Sequence, residues 1–129
     1  MKGQVLLVRS AEPADRGAIA LFLRHEETPL GPCNLAESEG FIAKLAGVVV
    51  GYAAVRRDSL SICWIDQFNV AAELRGLRIG RKFLGEIQRL ARSAGCSVMA
   101  AAAGCPLNEF FLANGFVERN GFLQKMLVD

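Results

Sequence analysis

Apolar residues recur along this chain at two spacings, and the spacing predicts where strands and helices lie. Short apolar runs are typical of strands, whereas apolar residues three and four positions apart are typical of an amphipathic helix. The clearest helix follows Ile79, because apolar residues recur at that interval up to Ala94 and Gly95 then provides an end. In chain order we predict a strand at 4–9, a helix from Pro13 with its apolar face at 19–23, strands at 41–45, 48–57 and 60–70, the helix that follows Ile79, a strand at 96–102, a helix at 106–113, and strands at 116–118 and 122–128.

Turn residues mark the connections between these elements. The segment 28–40 carries two prolines, two glycines and an asparagine, and we predict a loop there. The pairs Ala46-Gly47 and Asn120-Gly121 predict hairpin turns. The order of the elements indicates a mixed α/β (α+β) fold, with a mostly antiparallel central sheet of six to seven strands flanked by helices. Because no linker or repeat interrupts it, we expect residues 1–129 to form a single domain.

Composition and charge narrow the class of protein. Hydrophobic residues make up 52% of the chain and charged residues 22%, which excludes intrinsic disorder. A net charge of +2 is too small for a protein that binds nucleic acid over its whole surface. The chain lacks a signal-peptide apolar region and any apolar stretch long enough to span a membrane, so we expect a cytoplasmic protein. Its four cysteines form no CxxC pair and it has one histidine, so we expect no metal site.

The junction between the strand that ends at Val70 and the helix that follows Ile79 is the best candidate for chemistry. A helix N-terminus presents unpaired backbone N–H groups and a partial positive charge, which together favour a bound phosphate. Between Arg75 and Arg92 the chain carries six cationic residues and one carboxylate, so its positive charge is concentrated here. Neither the Walker motif nor the Rossmann glycine motif is present.

The sequence Arg75-Gly76-Leu77-Arg78-Ile79-Gly80 resembles the pyrophosphate-binding signature [QR]-x-x-G-x-[GA] of the GNAT superfamily of acyl-CoA N-acyltransferases. The hairpin at 47–52 is similar to the second and third strands of that family, and the segment 109–116 to its late helix, which ends in a Gly-Phe pair.

The resemblance implies an N-acetyltransferase that transfers an acetyl group from acetyl-CoA to a primary amine by direct attack in a ternary complex. The turn from Arg75 to Arg81 would hold the pyrophosphate, and main-chain groups of Phe68 and Val70 would pair with the pantetheine arm. A homodimer is compatible with the resemblance, since dimers are common in the family, whereas a membrane or nucleic-acid partner is not expected. The residues expected to contact coenzyme A are Phe68, Asn69, Val70, Arg75, Gly76, Leu77, Arg78, Ile79, Gly80, Arg81 and Phe111.

The chain departs from the family pattern at two positions. Arg78 stands at the central glycine of the signature, so its side chain must point outward from the turn. Phe111 stands where many members carry a tyrosine that protonates the departing thiolate, and a phenyl ring has no proton to donate. Tyr52, the only tyrosine, is the candidate replacement for that acid.

The base that accepts the amine proton projects in this family from the fourth strand, four or six residues before its last apolar residue. Those positions are Asp66 and Trp64, and because indole accepts no proton, Asp66 is the candidate. The alternative for Asp66 is a structural pairing with an arginine.

The segment from His25 to Gly40 carries four glutamates and no lysine or arginine, which is compatible with a cationic acceptor, although a solvated acidic loop explains it better. His25 itself is a weaker candidate for substrate contact. Two other functions remain open: an acyl-CoA-binding regulatory module without catalysis, and a small interaction protein whose basic helix contacts nucleic acid.

Overall fold

The alternation of strands and helices that the sequence predicts is present in the structure, a computed structural model that describes residues 5–26, 39–58, 61–71, 78–103 and 107–127. A turn of 3-10 helix at Pro13–Asp15 leads into the first α-helix. The elements are β1 (Leu7–Ser10), α1 (Arg16–Glu26), β2 (Glu39–Leu45), β3 (Val48–Arg57), β4 (Ile62–Val70), α2 (Ile79–Ser93), β5 (Val98–Ala102), α3 (Asn108–Ala113), β6 (Val117–Arg119) and β7 (Phe122–Met126).

The strands form one sheet in the order β1-β2-β3-β4-β5-β7-β6. Every neighbouring pair is antiparallel except β4 and β5, which are parallel because α2 crosses over between them. The predicted fold class, a mostly antiparallel sheet of six to seven strands with flanking helices, is therefore confirmed.

Several predicted strand limits shift, and the pairing explains why. β1 starts at Leu7, which pairs with Lys44, since β2 ends one residue later at Leu45. β4 starts at Ile62 because Ser61 has a left-handed backbone with φ +64°. The predicted loop at 28–40 is shortened, since its last two residues belong to β2, and its other residues lie outside the described ranges.

Both predicted hairpin turns are present. Ala46 and Gly47 have φ angles of 52° and 82°, and Asn120 and Gly121 have φ angles of 54° and 83°. Two consecutive positive φ angles are what a tight type I′ turn between antiparallel strands requires.

The helices cover opposite faces of the sheet. Phe83 of α2 lies against Phe68 of β4, with ring centroids 5.2 Å apart, and we call this side of the sheet the α2 face. Arg9 of β1 lies on the other side and binds Asp15, which precedes α1, with N–O distances of 2.8 and 2.9 Å. α1 packs across β3 and β4 from that side, which we call the α1 face.

The cysteines behave as core residues where the structure describes them. Cys63 and Cys96 are buried and free, and burial raises the pKa of the Cys63 thiol to about 12. Within the described residues no cluster of metal-ligating side chains occurs, and none of the helices is long and apolar enough to cross a membrane.

Candidate active site

β4 and β5 separate partway along their length and leave a wedge between them. Their pairing covers only Ile62–Trp64 of β4 against Val98–Ala100 of β5. Beyond that point β5 continues to pair with β7, whereas residues 65–70 of β4 pair only with β3 among the described strands. One edge of β4 therefore presents backbone groups with which an extended ligand can hydrogen-bond as an added strand would.

The N-terminus of α2 lies just beyond the end of this strand. Arg78 is the N-cap residue, and no side chain in the described part of the chain caps the helix through it. The first turn contains no carboxylate and carries two cations, Arg81 and Lys82, whose side chains are exposed along with that of Arg78. This end of the helix can receive an anion. The predicted contacts Arg75, Gly76 and Leu77 lie outside the described residues.

Arg78 adopts a left-handed backbone with φ +64° and ψ +16°, the conformation for which glycine is the usual residue. Its exposed side chain agrees with the expectation that it points outward from the turn. The departure from the signature at this position is thus accommodated at a cost in backbone strain.

Gly80 has a packing role that the sequence did not reveal. A Cβ atom on Gly80 would lie 3.3 Å from the ring of Phe110 and 3.6 Å from Val70. The missing side chain therefore makes room for α3 against the first turn of α2. The Cβ direction of Gly80 points toward Phe110, so packing against α3 is one reason for a glycine here, and its contact with coenzyme A stays a prediction.

Four aromatic rings form a cluster against β4 on the α2 face. Phe68 lies 5.4 Å from Phe110 and 6.1 Å from Phe111, and Phe111 lies 5.0 Å from Phe116, measured between ring centroids. Phe111 is 1% exposed and belongs to the core, and its predicted contact with the cofactor stays a prediction. Phe110, which the sequence analysis missed, is only half-buried and lies beside the start of α2.

Asp66 lies at a β-bulge immediately beyond the point where β4 and β5 separate. Ala54 pairs with Gln67 and Val55 with Ile65, so Asp66 is the extra residue of the bulge. Its carboxylate accepts hydrogen bonds from Arg56 at 2.8 and 3.1 Å, and its side chain is 13% exposed. The candidate base is thus beside the wedge, and the pairing with an arginine that was its structural alternative is also present.

Tyr52 is on the α1 face, whereas Phe111 is on the α2 face. The ring of Tyr52 lies beside Gly40 of β2, because a Cβ atom added to Gly40 would be 3.2 Å from the hydroxyl oxygen of Tyr52. β4 lies between Tyr52 and the wedge. This geometry does not bring the hydroxyl of Tyr52 to the position of Phe111, which argues against Tyr52 as the replacement acid.

Asn69 points away from the predicted cofactor side. Side chains alternate along β4, so those of Phe68 and Val70 lie on the α2 face and that of Asn69 lies on the α1 face, opposite Tyr52 on β3. The residue is 2% exposed, and neither side-chain oxygen nor nitrogen has a hydrogen-bond partner in the part of the chain that is described. Only its main chain can contribute to the predicted cofactor contact.

The remaining candidates are partly outside the described structure. The side chain of His25 and residues 27–38 are not described. Glu39, at the end of the acidic segment, lies 3.9 Å from Arg57. Trp64 donates a hydrogen bond from Nε1 to Asp58 at 2.9 Å, which gives it a structural partner.

Comparison with solved structures identifies the same fold in several acetyltransferases. An acetyltransferase of the GNAT family from Staphylococcus aureus is 13% identical, with a TM-score of 0.76 over 96% of this chain and 100% of that chain. A GNAT family N-acetyltransferase from Escherichia coli in complex with CoA is 16% identical, with a TM-score of 0.74 over 100% of this chain and 85% of that chain. An acetyltransferase from Brucella melitensis in complex with acetyl-CoA is 17% identical, with a TM-score of 0.74 over 97% of this chain and 90% of that chain.

Comparison of the sequence itself gives the family. No curated protein matches it significantly. The profile of the acetyltransferase (GNAT) family, however, matches residues 8–122, which include every strand and helix described above apart from the first residue of β1 and the last four residues of β7. The resemblance noted from the signature is confirmed: the chain belongs to the acetyltransferase (GNAT) family.

Proposed function

We propose that this protein transfers an acetyl group from acetyl-CoA to a primary amine. The observation that carries the proposal is that one edge of β4, unpaired among the described strands, leads to the cationic N-terminus of α2, which no described side chain caps. A ligand with an extended, amide-containing arm at one end and a diphosphate at the other matches these two binding groups in their order along the protein. Coenzyme A has that form, and the structural relatives from Escherichia coli and Brucella melitensis were solved with CoA and acetyl-CoA.

In the proposed complex the main chain of Phe68 and Val70 pairs with the pantetheine arm. The N–H groups at Ile79, Gly80 and Arg81 hold the pyrophosphate, with positive charge added by exposed arginine side chains. This arrangement sets the thioester at the narrow end of the wedge, near the bulge at Asp66. Phe110 closes one side of the wedge, and a ring there excludes water from the bound arm.

The reaction requires a neutral amine close to the thioester carbonyl. A primary amine with a pKa near 10.4 is almost entirely protonated at pH 7, so a base that accepts its proton accelerates attack. We assign this role to Asp66, directly or through one water molecule, because the bulge brings it beside the point where the strands separate. The rest of the rate enhancement comes from holding the two reactants in one orientation.

The departing thiolate has no phenolic donor at the position of Phe111. The nearby rings of Phe68, Phe110 and Phe116 also carry no proton to donate. We propose that a water molecule at the open mouth of the wedge supplies the proton. Thiolate departure at physiological pH tolerates this, because a thiol has a pKa of only about 8.5.

A second candidate function is an acyl-CoA-binding module without catalysis. It is favoured by one observation, the replacement of the usual phenol by Phe111 within an apolar cluster. Such a protein would bind CoA at the same edge of β4 and release no thiol.

The test measures thiol release from acetyl-CoA with a panel of primary amines, alongside calorimetric binding of CoA. We expect CoA to bind and at least one amine to be acetylated. Binding without turnover on any amine would support the second candidate. No binding of CoA, together with salt-dependent binding to nucleic acid, would refute both.

A further inference from the structure

The side chain of Asn69 is the starting point for a further inference. The residue is buried, with 2% of its surface exposed. Neither its Oδ1 nor its Nδ2 has a hydrogen-bond partner in the described part of the chain. Buried amides in folded proteins are nearly always paired, so an unpaired one requires an explanation such as a ligand site. Within the described residues, β4 thus carries one hydrogen-bond acceptor and one donor without partners in a single planar group.

The position of Asn69 separates it from the edge that the pantetheine arm would use. Its side chain lies on the α1 face, whereas Phe68 and Val70 on either side of it point to the α2 face. Asp66, whose carboxylate binds Arg56, lies on the same α1 face of the same strand. Asn69 is three positions along the strand from Asp66, which corresponds to roughly 8–10 Å along a bulged strand.

We propose that Asn69 recognises the acceptor, and that the acceptor is a primary amine carrying a carboxamide or peptide group several bonds away from the nitrogen. This inference rests on the proposed function, because it takes the amine to react beside Asp66. A ligand amide offers one donor and one acceptor, which match the Oδ1 and Nδ2 of Asn69 in a pair of hydrogen bonds. The spacing between the two residues requires an acceptor with a chain of about five methylene groups between amine and amide.

The pantetheine arm also contains amides, so the test must distinguish the cofactor from the acceptor. Two probes of equal shape do so: 6-aminohexanamide, which carries the amide, and 6-methylheptylamine, in which a branched alkyl group replaces it. Glycinamide tests the spacing, since its amide adjoins the amine. The variants are Asn69→Leu, of similar volume, and Asn69→Ala, in case the first does not fold. Gln124→Leu is the control, because Gln124 is a carboxamide on the same face of the sheet that already donates to the Arg119 carbonyl.

We expect the wild type to prefer 6-aminohexanamide over 6-methylheptylamine by about tenfold in kcat/KM, and over glycinamide as well. Asn69→Leu should abolish that preference, leave the Kd for CoA within about twofold, and raise the Tm of the ligand-free protein, because it removes an unpaired buried amide. Gln124→Leu should keep the preference.

Three results would overturn the proposal: a wild type without amide preference, a Kd for CoA that rises tenfold in Asn69→Leu while the amide preference persists, or a lower Tm of Asn69→Leu with unchanged selectivity.

A wild type that acetylates neither probe would contradict the proposed acyl transfer alone. In that case the shift in Tm of the CoA complex on adding each probe decides the inference. A larger shift with 6-aminohexanamide, lost in Asn69→Leu, supports it, and equal shifts refute it.

Discussion

Single residues in this protein carry roles that their types permit but do not determine. Asp66 is a carboxylate on a strand, and only the bulge and the separation from β5 give it access to the wedge. Its ion pair with Arg56 holds the carboxylate in one orientation. A role in catalysis and a role in structure are therefore both compatible with the same contacts, and kinetics can separate them.

Asp66→Asn should lower kcat/KM by about a hundredfold at pH 7, because it removes the proposed base. The loss should diminish toward pH 10, where a growing share of the amine is already neutral. A pH profile of acetylation for wild type and variant checks this, with Glu118→Gln on the exposed strand β6 as a control. A loss of equal size at every pH would assign Asp66 to structure alone.

Arg78 combines backbone strain with a charge, and two substitutions separate them. A left-handed residue other than glycine costs roughly 1–2 kcal/mol, so Arg78→Gly should raise the free energy of unfolding by up to about 1 kcal/mol, after the entropy of glycine is subtracted. Arg78→Ala should keep the strain. Both variants lack the guanidinium, and both should raise the Kd for CoA about three- to tenfold at low salt, with less effect at high salt. Denaturant unfolding measures the change in stability, and calorimetry measures the change in the Kd for CoA. An Arg78→Gly variant less stable than Arg78→Ala would contradict the claim that the backbone is strained at residue 78.

At the scale of elements, close contacts between helices and sheet position the site. A Cβ atom on Gly51 would lie 2.9 Å from Phe83, so this glycine lets α2 pack directly on β3. Gly80 allows the same close packing between α2 and α3. The distance from the N-terminus of α2 to the wedge depends on these two contacts.

The packing of α3 on α2 predicts opposite outcomes for two glycines of one helix. Gly80→Ala should lower the free energy of unfolding by about 1 kcal/mol, since its Cβ would press on the ring of Phe110. Gly85→Ala should raise it by about 0.5–1 kcal/mol, because nothing lies within 4 Å of that position and alanine favours the helix. A Phe110→Leu background should relieve the penalty of Gly80→Ala. Equal effects at both glycines would contradict the packing.

The start of α1 depends on an ion pair and should respond to acid. Hydrogen bonds from Arg9 and from the main chain of Glu12 hold the pKa of Asp15 well below its usual range. A carboxylate with a lowered pKa stabilises the fold above its unfolded pKa near 3.9, and this stabilisation is lost as the pH falls further.

We therefore expect the Tm of the wild type to fall below about pH 4. Asp15→Asn should lower the Tm at pH 7 and reduce the difference between pH 7 and pH 3. Thermal unfolding across this range checks the prediction, and parallel curves for the two proteins would contradict it.

For the whole molecule, the sequence predicted the order of elements and the family because both depend on local patterns. Each of these patterns is contained in a short stretch of sequence, as in the apolar periodicity after Ile79 and the turn pairs at Ala46 and Asn120. What it did not predict are relations between distant residues. The bulge at Asp66 follows from pairing with β3, and the unpaired amide of Asn69 follows from what surrounds it.

The central claim is that the outer edge of β4 beyond Trp64 and the cationic start of α2 together hold one molecule of coenzyme A. A crystal structure of the protein with acetyl-CoA tests it most directly. We predict the pyrophosphate on the N–H groups of residues 78–81 and the pantetheine arm hydrogen-bonded to the main chain of Phe68 and Val70. Coenzyme A bound elsewhere, or a helix start occupied by the protein's own side chains, would contradict the account.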